Sequence, residues 1–434
     1  MFVCDGAVNL QLISQVDKTI MNVAFHHDVT VTRQSPAAAR NPATARAQIR
    51  VFETLSAAEP AWRQLEAAGA LATPYQRFEW IDLWHRHVSA SQAIEPLIVV
   101  ASDPHGAPLL LLPLARRRKG PLAIAGFFGG RHANLNAGLW RREVAEAITA
   151  GELRAILSRV ATEHRIDLYK LMSQPARIEG VANPFALLPN RRSPDDVYSA
   201  TLHGSTGEEA LRSVLKSSMR GRLRTKERKL QEFPGYRYAV ATTPAAADRY
   251  LDAFLAQKAS HLAAQGLPNI FEDEKVVAFL RAACHEGLAE GRPVIELHVL
   301  ESDAEVIAIF GGVNNGRRLS CMINSYTPGE ASRWSPGLVL MTHLIARCGE
   351  DGVGSLDLGA GYASYKTFFC KETEDAFDTI LGVSAAGRAT AAALVTSRGL
   401  KRWLKSTPAL WAATKTARRL LNRPQHSTES NARQ

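Results

Sequence analysis

The sequence predicts an α/β protein (α+β, with mixed sheets) built from two tandem copies of one unit. Two observations carry this. Pro96-Leu-Ile-Val-Val with its turn at Asp103 can be laid over Pro293-Val-Ile-Glu-Leu with its turn at Asp303. Around each meander the order repeats, with helices before it and a helix and a strand after it. The match is one of pattern rather than residue identity.

Regular structure is expected to begin at Gln48-Ile-Arg-Val-Phe-Glu-Thr-Leu55, whose alternation suits a strand. Residues 1–47 show no periodicity, and Pro36 to Ala47 is rich in Ala, Pro, Arg and Thr, so this stretch reads as a flexible N-terminal arm. Met21 can serve as the start as well as Met1. Glu59 to Ala68 and Arg77 to Val88 read as helices, the second with Trp80, Leu83, Trp84 and His87 on one face. Three strands follow: Pro96 to Ala101, Ala107 to Arg116 and Pro121 to Phe128. Asp103-Pro-His-Gly106 makes the first turn. A long helix, Arg142 to His164, and a strand, Asp167 to Met172, close a first domain over 48–195.

The second domain is expected over 196–386. It opens with a strand, Val197 to Leu202, then one long basic helix, Thr206 to Phe233, stopped by Pro234-Gly235. Tyr236 to Thr242 is a strand, and Ala245 to Ala264 and Asp273 to Leu288 are helices. The second meander runs through Pro293 to Leu300, Ala304 to Val313 and Arg317 to Ser325, with Asn314-Asn315-Gly316 as a strong hairpin signal. Ser335-Pro336-Gly337 then starts a helix: an N-cap residue, a proline at the first helical position, and a glycine that lets another group approach. Gly349 and Gly352 stop it. Ser355 to Leu358 is a short strand ending near Asp357, and a glycine turn leads to a helix with Tyr365 and Lys366. Ala376 to Val383 is the last strand. Residues 387–434 form a basic amphipathic tail.

Composition narrows the function. The chain has 434 residues, 46% hydrophobic and 22% charged, which suits two domains with full cores. A formal net charge of +10 points to an anionic partner or substrate. Five scattered cysteines without a Cys-x-x-Cys pair argue against a disulfide framework or a structural zinc, and no metal site is expected. The cysteines near the proposed site, Cys348 and Cys370, read as apolar fillers. Met1 to Leu12, with Asp5 and no basic start, does not read as a signal peptide, and no apolar run approaches about 20 residues, so a cytoplasmic location is expected. Past Gly387 there is no acidic residue until Glu429, and Trp and Leu mix with Arg and Lys. That composition suits contact with an anionic membrane surface, peripheral at the inner face.

The order of elements resembles the FemAB-like branch of the GNAT acyltransferases, which includes CelD-like proteins associated with cellulose biosynthesis. The residues that carry the likeness are Pro74-Tyr75-Gln76 before the Trp80 helix, the basic helix Leu215 to Leu230, Ser335-Pro336-Gly337, and Asp357…Gly361…Tyr365-Lys366. The likeness runs from about Gln48 to Val383. It implies two tandem GNAT folds, with acyl-coenzyme A (acetyl-CoA) as co-substrate and an amine or hydroxyl of a sugar, lipid, envelope or exopolysaccharide precursor as acceptor. The alternatives it implies are transfer from aminoacyl-tRNA and a non-catalytic adaptor of polysaccharide biosynthesis. The sequence departs from the usual pyrophosphate loop, because Arg333-Trp-Ser-Pro-Gly337 has a single close glycine.

Chemistry is expected in the second copy and substrate walls in the first, where Gly126-Phe-Phe-Gly-Gly-Arg-His132 stands in place of Tyr326-Thr-Pro-Gly-Glu, and Gly138 and Trp140 stand where the second copy has its sharp helix start. A free helix N-terminus is an anion site, so Arg333, Ser335 and Gly337 are the candidate donor-binding residues. Asp357 is the candidate base and Tyr365 the candidate acid for the leaving thiolate. Lys366 is expected to pair with Asp357 or bind a phosphate. Tyr326, Arg220 and Arg224 are candidate substrate contacts. His343 reads as a satisfied core histidine.

Overall fold

A computed structural model describes residues 47–130 and 132–406, with side chains described as far as 396. The expected arm and most of the tail lie outside these residues. The first copy contains β1 (Gln48–Phe52), α1 (Leu55–Ala67), α2 (Phe78–Trp84), β2 (Glu95–Ser102), β3 (Pro108–Lys119), β4 (Leu122–Phe127), α3 (Ala150–His164), β5 (Leu168–Pro175) and β6 (Arg191–Arg192). The second contains β7 (Val197–Thr201), α4 (Gly207–Val214), α5 (Ser217–Leu230), β8 (Arg237–Val240), α6 (Pro244–Ala264), α7 (Glu274–His285), β9 (Glu296–Glu301), β10 (Val306–Asn314), β11 (Arg318–Tyr326), α8 (Pro336–Glu350), β12 (Ser355–Ala360), β13 (Glu372–Glu374), β14 (Ala376–Gly382) and α9 (Ala385–Ser406).

The two sheets have the same plan. The first runs β1-β2-β3-β4-β5-β14-β6 and the second β8-β9-β10-β11-β12-β7-β13. In each, an antiparallel meander meets one parallel neighbour, β4 with β5 and β11 with β12. The fold is a tandem of two GNAT-like units.

One strand of the second copy crosses into the first sheet. β14 pairs antiparallel with β5 and β6 in the first sheet, and β7 pairs with β12 and β13 in the second. The expected second domain, 196–386, is corrected accordingly, because residues 376–382 complete the first sheet. Buried polar pairs fix this choice. The Asp378 carboxylate accepts from the Ser173 amide at 2.9 Å and from Ser193 Oγ at 2.7 Å, and Gln174 Nε2 donates to Thr379 Oγ1 at 3.0 Å. Buried groups of this kind must be matched, so an alternative strand would leave them orphaned.

The copies also share a core. Trp62, Trp80, Trp84 and Phe78 of the first pack with Phe254, Phe271 and Phe279 of the second. Trp80 stacks on Trp84 and meets Phe279 edge-on, at centroid distances of 5.6 and 5.4 Å. Each copy keeps its own core on the other face of its sheet.

Two helices expected as single are broken. Arg142 to His164 stops at Ile148, where Thr149 and Glu152 form a capping box that starts α3 afresh. The basic helix breaks at Leu215 and Lys216, both extended. Leu215 is buried and Arg220 Nη1 donates to its carbonyl at 2.8 Å, so the break is stabilised locally. It lets α4 and α5 each lie against α8.

Candidate functional site

The site is a split in the second sheet. β11 and β12 pair only where Arg318, Leu319 and Ser320 face Ser355, Leu356 and Asp357. Beyond that rung β11 stays with β10, through a bulge at Gly311/Gly312, and β12 stays with β7. Separating two strands orphans backbone groups on both edges, and each needs another partner. On β11, the Cys321 carbonyl accepts from Tyr75 Oη at 3.1 Å and from Asn134 Nδ2 at 2.7 Å, both from the first copy. On β12, the Gly359 amide donates to Asp357 Oδ1 at 3.1 Å.

This geometry corrects the role expected of Asp357. The residue is third in β12, has no exposed surface, and sits at the vertex of the split. Oδ2 accepts from Arg318 Nε at 2.8 Å and from Ser320 Oγ, while Arg318 Nη1 also reaches Glu374 at 2.8 Å. Burial opposes the Arg318 charge, but the two carboxylates on balance raise its pKa. Both Asp357 oxygens are engaged in holding the strands, so the carboxylate is not a free base.

Lys366 is likewise structural. Its ammonium donates to the carbonyls of Gly359, Ala360 and Gly361 at 3.0, 3.1 and 3.0 Å. Three N–H donors on three carbonyls leave none for a phosphate or for Asp357. The lysine clamps the glycine turn at the end of β12.

Tyr365 lies just before the one-turn helix Lys366–Phe369, half-buried, and its hydroxyl accepts from Asn324 Nδ2 at 3.3 Å. Asn324 is on β11 beyond the split, so the phenol faces the opening. Burial raises its pKa and makes it hold its proton more tightly than an ordinary tyrosine.

The start of α8 forms the other side. Ser335 adopts a left-handed conformation, φ 54°, and does not cap the helix with its side chain as expected. Its Oγ accepts instead from Lys226 Nζ at 2.7 Å, and its carbonyl takes the Leu338 and Val339 amides. Pro336 has no N–H, so Gly337 presents the free amide. A Cβ at Gly337 would lie 3.9 Å from Tyr326 Cδ1, which puts Tyr326 beside this helix start. Tyr326 in turn meets the His261 ring of α6 at 4.9 Å. Arg333 is exposed, paired with Glu330 at 2.6 Å and set over Trp334.

Arg220 and Arg224 lie elsewhere. Arg224 pairs with Glu208 of α4 at 3.2 Å, Arg220 approaches it at 3.8 Å, and both line a groove of about 200 Å³ between α4, α5 and α8. Their side chains are used to dock α5, and Lys226 is the α5 cation that reaches the split. His343 donates to Glu227 and stacks on Tyr238 at 4.8 Å; it is satisfied, as expected, but part-exposed rather than core. Burial pushes the Cys348 and Cys370 thiols up to about 12, in keeping with filler roles.

The matching split in the first sheet is closed by its own loop. The Asn136 amide donates to the Ser173 carbonyl at 2.9 Å, and its Nδ2 to the Met172 carbonyl at 3.3 Å. The same loop sends Asn134 across to Cys321, so the first copy supplies a wall.

Sequence reasoning assigned no site role to Asn134, Asn324, Lys258 and His261, nor to Tyr75, which entered only through the family likeness. Lys258 and His261 stand three apart on one face of α6, a spacing that pairs side chains on a helix and was visible beforehand. The others are single polar residues whose meaning comes only from the split. Among the described residues no group of three or more His, Cys, Asp or Glu could hold a metal, and no helix is long and apolar enough to cross a membrane.

Residues 217–367, which hold the split, match the family described as acetyltransferase (GNAT) domain. No curated protein matches the chain significantly. Among solved structures, FemX is similar with a TM-score of 0.55 and 9% identity over 77% of this chain and 97% of that one. A conserved protein of unknown function from Bacteroides thetaiotaomicron VPI-5482 gives 0.48 and 11% over 77% and 100%. The C-terminal domain of a putative lysylphosphatidylglycerol synthetase from Agrobacterium fabrum gives 0.46 and 11% over 79% and 96%. The likeness to FemX shows a shared fold.

Proposed function

We propose that the protein transfers an acyl group from an acyl-coenzyme A to an amine or hydroxyl of a sugar, lipid or envelope precursor. The CelD-like resemblance makes an exopolysaccharide precursor part of this reading. One observation carries it: the strand split opens beside a helix start where Lys226 and the Gly337 amide converge. An ammonium at the positive end of a helix is unfavourable by itself. Lys226 has no carboxylate partner among the described residues, and burial, then Arg222, lower its pKa. An anion such as a pyrophosphate relieves both repulsions, so the residues fit the donor.

Bound acyl-coenzyme A would supply the thioester, and free coenzyme A would leave. The attacking amine forms a C–N bond to its carbonyl carbon and the C–S bond breaks. His261 accepts the proton the amine loses; burial and then Lys258 lower its pKa and keep the imidazole neutral. Tyr365 gives its hydrogen bond to the departing sulfur. Asp357 and Lys366 keep the two strand edges apart and so position Tyr365 and Asn324.

A second reading, aminoacyl transfer from charged tRNA, is favoured by the exposed cations Arg222, Arg228 and Lys229 of α5. Calorimetry separates the two. Tight coenzyme A binding, lost in Gly337→Trp, supports the first. Salt-sensitive tRNA binding without coenzyme A affinity supports the second. Binding of neither, with association to anionic liposomes, leaves the adaptor.

A further inference from the structure

Lys258 is a part-buried cation that the acyl-transfer reading leaves without a partner among the described residues. It lies on α6, held in place by its neighbour. Gln257 Nε2 donates to the Val306 carbonyl and Gln257 Oε1 accepts from Ser325 Oγ, both at 2.7 Å. That grip fixes α6 on β10 and β11. One turn on, His261 lies against Tyr326 at the mouth of the split.

Lys258 is half-buried, yet it makes no hydrogen bond or ion pair with any described residue. Other part-buried cations of this copy differ. Lys366 is spent on three carbonyls, Arg318 is paired with Asp357 and Glu374, and Lys226 meets Ser335. The acids of α6 itself, Asp248 and Asp252, are taken by Arg281 at the far end of the helix. The titratable groups around Lys258 are the Cys321 thiol and the His261 ring, and neither is an anion here. Withdrawing an ammonium from water without a counter-charge is costly, and burial accordingly lowers its pKa.

We infer that Lys258 is the binding point for a carboxylate or phosphate carried by the acyl acceptor. The inference rests on the proposed acyl-transfer reading. The acceptor is the favoured source because Lys258 stands one turn before His261 on α6, and His261 is the group assigned to take the acceptor's proton. A carboxylated acyl chain is the second source of the same chemistry.

Lysine labelling of the full chain tests this without turnover. Pyridoxal 5′-phosphate followed by borohydride reduction, read by peptide mapping, should label Lys258 faster than the exposed lysines, because a lowered pKa leaves more of the free amine. Inorganic phosphate and malonate should each protect it, while chloride at equal ionic strength should not. Protection by glucosamine 6-phosphate but not by coenzyme A assigns the anion to the acceptor. Protection by succinyl-coenzyme A but not acetyl-coenzyme A moves it to the acyl chain and overturns the acceptor assignment. Labelling no faster than bulk, or indifferent to phosphate and malonate, overturns the site itself. Coenzyme A binding on the same sample is scored separately, so loss of the acyl-transfer reading is told apart from loss of this one.

Discussion

The Tyr75 hydroxyl of the first copy donates to the Cys321 carbonyl of the second at 3.1 Å. The tyrosine is fully buried, and burial raises its pKa well above the ordinary value, so it stays a proton donor across the working range. The bond holds open a gap that a continuing β-ladder would have closed. The first copy therefore acts on the second by satisfying a strand edge. Tyr75→Phe should leave that carbonyl with Asn134 alone and cost about 1–2 kcal/mol, measured by denaturant unfolding. An unchanged midpoint with full thiol release would remove Tyr75 from the site.

Asp357→Ala should behave as a stability variant. It strips Arg318 of a buried partner and frees the Gly359 amide, for a loss of about 3–5 kcal/mol. Chemical unfolding measures this. If Asp357→Asn kept wild-type stability yet lost turnover selectively, the carboxylate would be a base after all.

Tyr365→Phe should keep stability and lower thiol release by roughly 10²-fold, the scale of one general acid. Asn324→Ala should fall between it and wild type, because Asn324 only orients the phenol. Equal turnover in Tyr365→Phe would leave the leaving group to solvent.

Lys226→Ala should weaken coenzyme A binding by about tenfold or more, the worth of one charge-assisted hydrogen bond. Calorimetry on the folded variant reads it directly. Arg224→Ala should not change coenzyme A affinity, since its partner is Glu208.

Acid should loosen the α5–α8 contact. Hydrogen bonding from His343 holds the Glu227 carboxyl below its ordinary value, against burial. A lowered folded pKa contributes stability above the unfolded value, and that contribution disappears as pH falls through the folded one. Wild type should therefore lose more stability than His343→Phe between roughly pH 5 and pH 3. Parallel losses would show that the pair is not linked to folding.

Separated halves, 47–195 and 196–406, should not fold cooperatively alone. The first lacks β14, the strand that closes its sheet, and each exposes half of the Trp80–Phe279 core. Co-expression should restore one cooperative transition. Two independent melts would show that the crossing of β14 is dispensable.

Much of this protein was legible along the chain. Alternation in Pro96 to Ala101 and Pro293 to Leu300, the Asn315-Gly316 turn and the Ser335-Pro336 start are local signals, and local sterics and periodicity decide them. The doubling of the unit followed from those, and so did the choice of residues 335–337 and 357–366 as candidates. What the chain could not disclose was pairing at a distance. Nothing near Ala376 says that it will lie beside Pro175, and nothing near Asp357 says that Arg318 and Gly359 will take both its oxygens. Those outcomes belong to the packed state, where every buried donor and acceptor must find a partner and the available partners come from remote segments. For the same reason Lys258 stood unnoticed among helix residues until three dimensions left its charge unanswered.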